Sequence, residues 1–331
     1  MTVAILPLGA AGSEAAGYAE ELCNALGELP PVSAHLATDA QHGPALEPDG
    51  ADITHVVAPD AAALVQWLPD RTSPAVATVL HSATGLRRQP GANSGARALP
   101  VVVTLTREDA AALCQAGLCV TDAMVVPCWV PDRCRVGQAP TRAPGPAFVL
   151  YLASDGEGAA LAEALIACLP SLPVSVGLVV AFEAGASKGA ALAARLEAMA
   201  QAQGTGSRLA AAPIRDEAAL AALLNACSAV VAPADLVSGV WHGLSALGYG
   251  RPLLAPDLPV FRDVMVRAGC VRLLRPDEPG HVCACLRALL SNPIGMAEMG
   301  DRATSYARAH TRRSVAERMA EVYLGAKANG I

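Results

Sequence analysis

Lysine is almost missing from this chain of 331 residues: of 24 basic residues only Lys188 and Lys327 are lysine. Aromatic residues make up 3% and charged residues 16%. Residues 1–70 hold ten acids and no Lys or Arg, so the net charge of −6 arises in the first half, and no basic face for nucleic acid or anionic lipid is present. No apolar run approaches the roughly 18 residues that a membrane-spanning helix needs. The longest, 174–182 (VSVGLVVAF), stops at Glu183 and reads as a buried strand. The ten cysteines include no C-x-x-C pair and no Cys–His cluster at zinc spacing. That pattern fits small buried hydrophobes in a reducing cytoplasm and predicts no metal. The first residues, MTVAILPLG, carry no basic segment ahead of their short apolar run, so they read as a first strand rather than a signal peptide.

Hydrophobic residues make up 53% of the chain, which excludes a disordered polymer. At about 150 residues per domain, two domains are expected. Strand-like runs at 2–6, 33–36, 53–58, 75–80, 101–104 and 123–126 alternate with helical stretches at 14–26, 61–67 and 108–114. Residues 138–146 (QAPTRAPGP) then hold three prolines and read as a linker. The alternation restarts beyond it. Strands are expected at 147–152, 174–181, 208–212, 229–232 and 252–255, with helices at 158–168, 188–203, 217–227 and 241–247. Helices at 277–290, 296–310 and 314–324 close the chain. Strand–helix–strand alternation predicts parallel sheets covered on both faces.

From Asp216 to Leu324 the chain resembles the C-terminal half of family-four retaining glycosyltransferases. The resemblance rests on Ser228–Pro233 (SAVVAP), 250–257 (GRPLLAPD) and 271–277 (VRLLRPD), in that order, followed by closing helices. The first half is similar more faintly, through 52–55 (DITH), 78–81 (TVLH) and 125–127 (VVP). The resemblance implies an α/β protein of GT-B type, with two Rossmann-like domains facing across a cleft. It divides the chain into an acceptor-side domain at 1–140, a nucleotide-sugar-side domain at 141–310 and a terminal helix at 311–331 that packs back on the first domain. It also implies transfer of a sugar from a nucleotide-sugar donor to a small or lipid-linked acceptor, with retention, without a metal and with no cofactor beyond the donor.

The residues that carry this chemistry in the family are replaced. The positions of its phosphate-binding Arg and Lys fall on Ser154 and Glu157, and those of its Glu-x7-Glu pair on Val237 and Ser245. No Glu occurs between Glu217 and Glu278, so a small shift in alignment recovers neither. Pro259 and Val260 stand where the family usually has glycine, and Cys128-Trp129 stand for its Asn-Gly. Substitutes for the donor site are Ser154, Arg215, Arg262, the start of a helix at Ser238-Gly239, Trp241-His242 beside it, and Ser245 for a ribose hydroxyl. The alternative for Arg262 is a surface arginine, and for Trp241-His242 interdomain packing. On the acceptor side the candidates are Gly9, Gly12 and His81. The glycines read equally as a plain turn, being too loosely spaced for a dinucleotide fingerprint, and His81 as a loop residue. A rival reading follows from the missing charges: a degenerate glycosyltransferase scaffold that serves as a binding or partner subunit. Positive mean hydropathy and long alanine faces allow self-association without requiring it.

Overall fold

The computed structural model describes the chain apart from residues 9–12, 31, 38–50, 68–75, 81–100, 117–122, 132–146, 154–158, 186, 234–237 and 330–331; of residues 14, 65–67, 238, 239 and 242 it describes the backbone only. The expected linker at 138–146 therefore lies outside the described residues. The chain forms two compact units, one of Met1–Trp129 with Arg312–Ile331 and one of Val130–Thr311.

The first unit contains β1 (Thr2–Pro7), α1 (Glu14–Gly27), β2 (Ser33–Leu36), β3 (Ile53–Ala58), α2 (Ala61–Trp67), β4 (Val76–Val79), β5 (Val102–Thr104), α3 (Arg107–Gln115), β6 (Met124–Val125) and the last helix of the chain, α11 (Arg312–Ala328). Its strands pair in the order β2-β1-β3-β4-β5-β6, all parallel. Parallel strands covered on both faces read as nearly continuous apolar runs, and β3 and β4 are buried almost throughout. Side chains fix the helix starts. Ser13 caps α1 by accepting from the Ala16 N–H, and Thr106 caps α3 by accepting from the Asp109 N–H.

A buried histidine interrupts the apolar run of β3. His55 is fully buried, and both ring nitrogens are engaged: Nε2 with Thr78 Oγ1 at 2.7 Å and Nδ1 with the Tyr323 hydroxyl at 2.7 Å. Burial lowers its pKa to about 3, so the ring is neutral, one nitrogen donating and the other accepting. Tyr323 lies on α11, which packs against α1. Ion pairs hold the two ends of that helix, Arg312 to Glu21 at 3.0 Å and Lys327 to Asp52 at 2.8 Å.

The second unit runs β7 (Ala147–Leu152), α4 (Ala159–Cys168), β8 (Val176–Glu183), α5 (Ser187–Ala202), β9 (Leu209–Ile214), α6 (Glu217–Ala226), β10 (Ala229–Val231), α7 (Ser238–Gly248), β11 (Leu253–Pro256), α8 (Pro259–Ala268), β12 (Val271–Leu274), α9 (Pro279–Leu290) and α10 (Pro293–Ala309). The sheet order is β12-β11-β10-β7-β8-β9, again all parallel. Counted from β7 as the first strand, this is the 3-2-1-4-5-6 order of the dinucleotide-binding fold. Tyr151, Leu165, Leu196, Leu254 and Leu286 belong to one core that joins the sheet to its helices.

Away from the sheet's carboxyl edge, Arg208 staples the unit together. Its guanidinium donates to the carbonyls of Leu169 at 2.6 Å, Pro173 at 2.9 Å and Val176 at 2.8 Å. The start of this unit is also tied to its end, the Val130 N–H donating to the His310 carbonyl at 2.7 Å.

Helix α8 has no counterpart among the expected helices; the sequence reading set Pro259 and Val260 only where the family usually has glycine. It begins with Pro259 in its first turn, buries Phe261 and Val264, and ends at Gly269, whose φ of 63° is the left-handed cap that favours glycine.

Candidate functional site

In open parallel sheets, ligands bind outside the carboxyl ends of the strands where the strand order reverses. In the second unit that point lies between β7 and β10. β7 ends at Leu152, and the next N–H, of Ala153, still donates across to Ala181 at 2.7 Å. β10 ends at Val231, and the Ala232 N–H donates to the Leu254 carbonyl at 2.9 Å. After Pro233 and residues 234–237 the chain enters α7 at Ser238. The first turn of a helix has N–H groups without intrahelical partners and carries partial positive charge, which suits an anion.

Among the donor-side residues picked out by sequence, Ser238 and Gly239 open α7, with Trp241 and His242 in its first turns. The helix therefore starts three residues earlier than its apolar pattern suggests. Trp241 is half-buried. Ser245, two turns into α7, is 8% exposed and donates to the Trp241 carbonyl at 2.9 Å. Ser154, Gly9, Gly12 and His81 lie outside the described residues.

The two arginines do not converge. Arg262 is in the first turn of α8, which follows β11, while Arg215 follows β9. From β9 to β11 the sheet takes four strand steps. At ~4.8 Å each this separates the two strand ends by about 19 Å, too far for both to grip one diphosphate. They lie at the same edge of the sheet, as the sequence suggests, but on opposite flanks of β7.

Arg262 is also engaged already. Its Nε lies 2.7 Å from Asp257 Oδ1, and the two side chains are 40% and 56% exposed. An exposed pair of this kind is worth about 0–1 kcal/mol, so a phosphate can compete for the guanidinium at small cost.

Two features at the strand ends escaped the sequence reading. Thr106 Oγ1 donates to Asp109 Oδ2 at 2.5 Å, so the buried Asp109 carboxylate closes the cap of α3 just beyond β5. The pattern T-x-x-D ahead of an apolar stretch was the available signal. The other is Glu183, which ends β8 and is exposed.

The eight described cysteines form no disulfide. Burial pushes the thiols of Cys168 and Cys227 up to about 12 and that of Cys270 up to about 11, which leaves them inert near neutral pH. Among the described residues no helix is long and apolar enough to cross a membrane.

The chain matches no protein-family model and no curated protein sequence. Solved structures do match it along nearly its whole length. Sucrose-phosphate synthase from Thermosynechococcus elongatus superposes with a TM-score of 0.71 at 15% identity, covering 99% of this chain and 100% of that one. The chain has the GT-B glycosyltransferase fold. Anabaena HepE in complex with UDP gives 0.66 at 13% identity, over 98% of this chain and 100% of that one. A glycosyltransferase from Rickettsia africae gives 0.70 at 10% identity, over 98% of each chain. At these identities the likeness is one of architecture, two parallel six-stranded sheets with flanking helices.

Proposed function

We propose that the chain is a glycosyltransferase that binds a nucleotide sugar at the carboxyl edge of the second unit's sheet and passes the sugar to a small or lipid-linked acceptor. The observation that carries this reading is the 3-2-1-4-5-6 strand order, with its reversal between β7 and β10 and the start of α7 beside it. HepE, which shares the fold, is solved with UDP and with UDP and glucose. Transfer proceeds with retention, without a metal and without any cofactor beyond the donor.

As the bond from sugar to phosphate stretches, charge develops on the diphosphate oxygens. Aimed N–H groups and cations stabilise that charge. Here the first-turn N–H groups of α7 and the Arg262 guanidinium, released from Asp257, serve. Each aimed donor that is lost costs roughly 10²–10³ in rate. A site with Ser154 and Glu157 at the two cation positions is therefore a slow one unless these substitutes act. Gly9, Gly12 and His81 form the acceptor side.

A second reading is favoured by the Arg262–Asp257 pair and by the absent Glu-x7-Glu. In it the scaffold binds without catalysis and acts as a partner subunit. A calorimetric titration with UDP, GDP, ADP and TDP sugars tests the site. Binding of one of them supports the proposal, and no binding at millimolar concentration rejects it. Release of free sugar from the bound donor then separates the enzyme from the degenerate scaffold.

A further inference from the structure

Two cysteines meet where α4 packs on α9. Cys168 is the last residue of α4 and is buried, while Cys283 lies in the second turn of α9 and is half-buried. The Cys168 sulfur stands 4.0 Å from the Pro279 carbonyl oxygen. In an α-helix that carbonyl accepts from the N–H four residues on, here that of Cys283, and side chains lean back toward the helix N-terminus. The Cys283 side chain therefore covers the turn on which the Cys168 sulfur rests. A second contact fixes the approach from the other side. After α4 the chain bends through a 3-10 turn, Leu169–Ser171. The Ser171 hydroxyl donates to the Cys168 carbonyl at 2.8 Å and so accepts from the Cys283 thiol at 2.9 Å. The two sulfurs are within hydrogen-bonding reach of each other.

Their surroundings set the order in which they react. Burial, and after it the neighbouring Cys283 thiol, push Cys168 up to about 12, so in the open pair Cys168 is not the first nucleophile. Cys283 is reached from solvent beside the exposed Ser171. Once the Cys283 sulfur is held in a disulfide it carries neither charge nor thiol proton, which removes its part of that upward push. The Arg287 guanidinium, which favours the Cys168 thiolate, stays in place. Cys285 is turned elsewhere, its sulfur 3.7 Å from His281 Nε2 and 4.0 Å from the Leu273 carbonyl oxygen of β12.

We propose that Cys168 and Cys283 form a redox site that a small-molecule disulfide, such as oxidised glutathione, closes to a cross-link between α4 and α9. The Cys283 thiolate attacks one sulfur of the reagent, the reagent's S–S bond breaks, and one reagent thiol leaves. Cys168, deprotonated in turn, attacks the Cys283 sulfur of the mixed disulfide, and the second reagent thiol leaves. Two protein thiols are oxidised to one disulfide, one reagent disulfide is reduced to two thiols, and no proton is gained or lost overall. An excess of reagent thiol reverses both steps, so the pair is open in a reducing compartment and closes as the disulfide pool rises. The cross-link restricts the unfolded chain and so stabilises the second unit. The site stands apart from the nucleotide-sugar reading.

The test incubates the full chain in glutathione buffers of rising oxidised fraction, alkylates the remaining thiols under denaturing conditions and maps the peptides without reduction. A peptide pair joined through Cys168 and Cys283 is expected, which dithiothreitol separates again. The cross-linked form should unfold about 5–10 °C above the reduced one in a thermal scan. Cys168→Ala should stop at a glutathione mixed disulfide on Cys283, and Cys283→Ala should leave Cys168 free. Wild-type protein in which both thiols stay free at every ratio overturns the proposal. So does Cys283 that holds glutathione without passing to Cys168, or that joins a different cysteine. The wild-type map decides these outcomes by itself, so a variant that fails to fold leaves the test intact.

Discussion

Replacing His55 with Gln should flatten the acid side of the stability curve. His55 is fully buried between Thr78 and Tyr323, and burial holds its pKa near 3 against an ordinary 6.5. The folded chain therefore keeps the ring neutral, while the unfolded chain takes up a proton below pH 6.5. The stability that this neutral ring contributes is complete above pH 6.5 and is lost as pH falls toward 3. The slope is about 1.4 kcal/mol per pH unit, so roughly 2 kcal/mol disappears between pH 6.5 and 5. The full window amounts to roughly 5 kcal/mol. Asp52, whose pKa is lowered by its hydrogen bond to Lys327, acts in the opposite range: its contribution is present above 3.8 and lost below. Between pH 7 and 5 the difference in slope between wild type and variant therefore reports His55. Urea unfolding of the first unit, followed by circular dichroism and tryptophan fluorescence, gives the slope. The wild type should lose stability steadily below pH 6.5, and His55→Gln should lose about 1.4 kcal/mol per unit less. An equal slope in both proteins would refute the assignment.

Other outcomes follow from particular contacts. Arg208→Lys should destabilise the second unit by about 1–3 kcal/mol in urea, because an ammonium cannot span the carbonyls of Leu169, Pro173 and Val176. Gly243→Ala should cost about 1–3 kcal/mol, since a Cβ there meets the Phe261 ring at 2.8 Å; a neutral effect in thermal unfolding would mean that the ring moves aside freely. Arg262→Ala should weaken nucleotide-sugar binding about tenfold, and Asp257→Ala should strengthen it a few-fold by freeing the guanidinium. Unchanged affinity in both variants would remove Arg262 from the site.

Most strands were legible because a parallel sheet buried on both faces writes itself as short apolar runs. The expected strands at 53–58 and 147–152 coincide with β3 and β7. Helix α8 was not read, although Pro259 and Gly269 bracket it, because Arg262, Asp263 and Arg267 interrupt its apolar face and the resemblance set glycine at Pro259 and Val260. The engagement of Arg262 by Asp257 was equally hidden, since pairing across a helix start depends on rotamers. His55 was legible only as a strand residue: its partner Tyr323 lies 268 positions away. At the candidate site the strands were legible in their order along the chain but not in their order across the sheet. The separation of Arg215 from Arg262 follows from the sheet order β11-β10-β7-β8-β9, which no local pattern encodes.

The most direct test of the central claim is hydrogen exchange of the full chain with and without a saturating nucleotide sugar, read by mass spectrometry. Slowed exchange is predicted in peptides covering 153–162 and 232–243, the connections that leave β7 and β10. Protection confined to the first unit, or no nucleotide-dependent change anywhere, would contradict it.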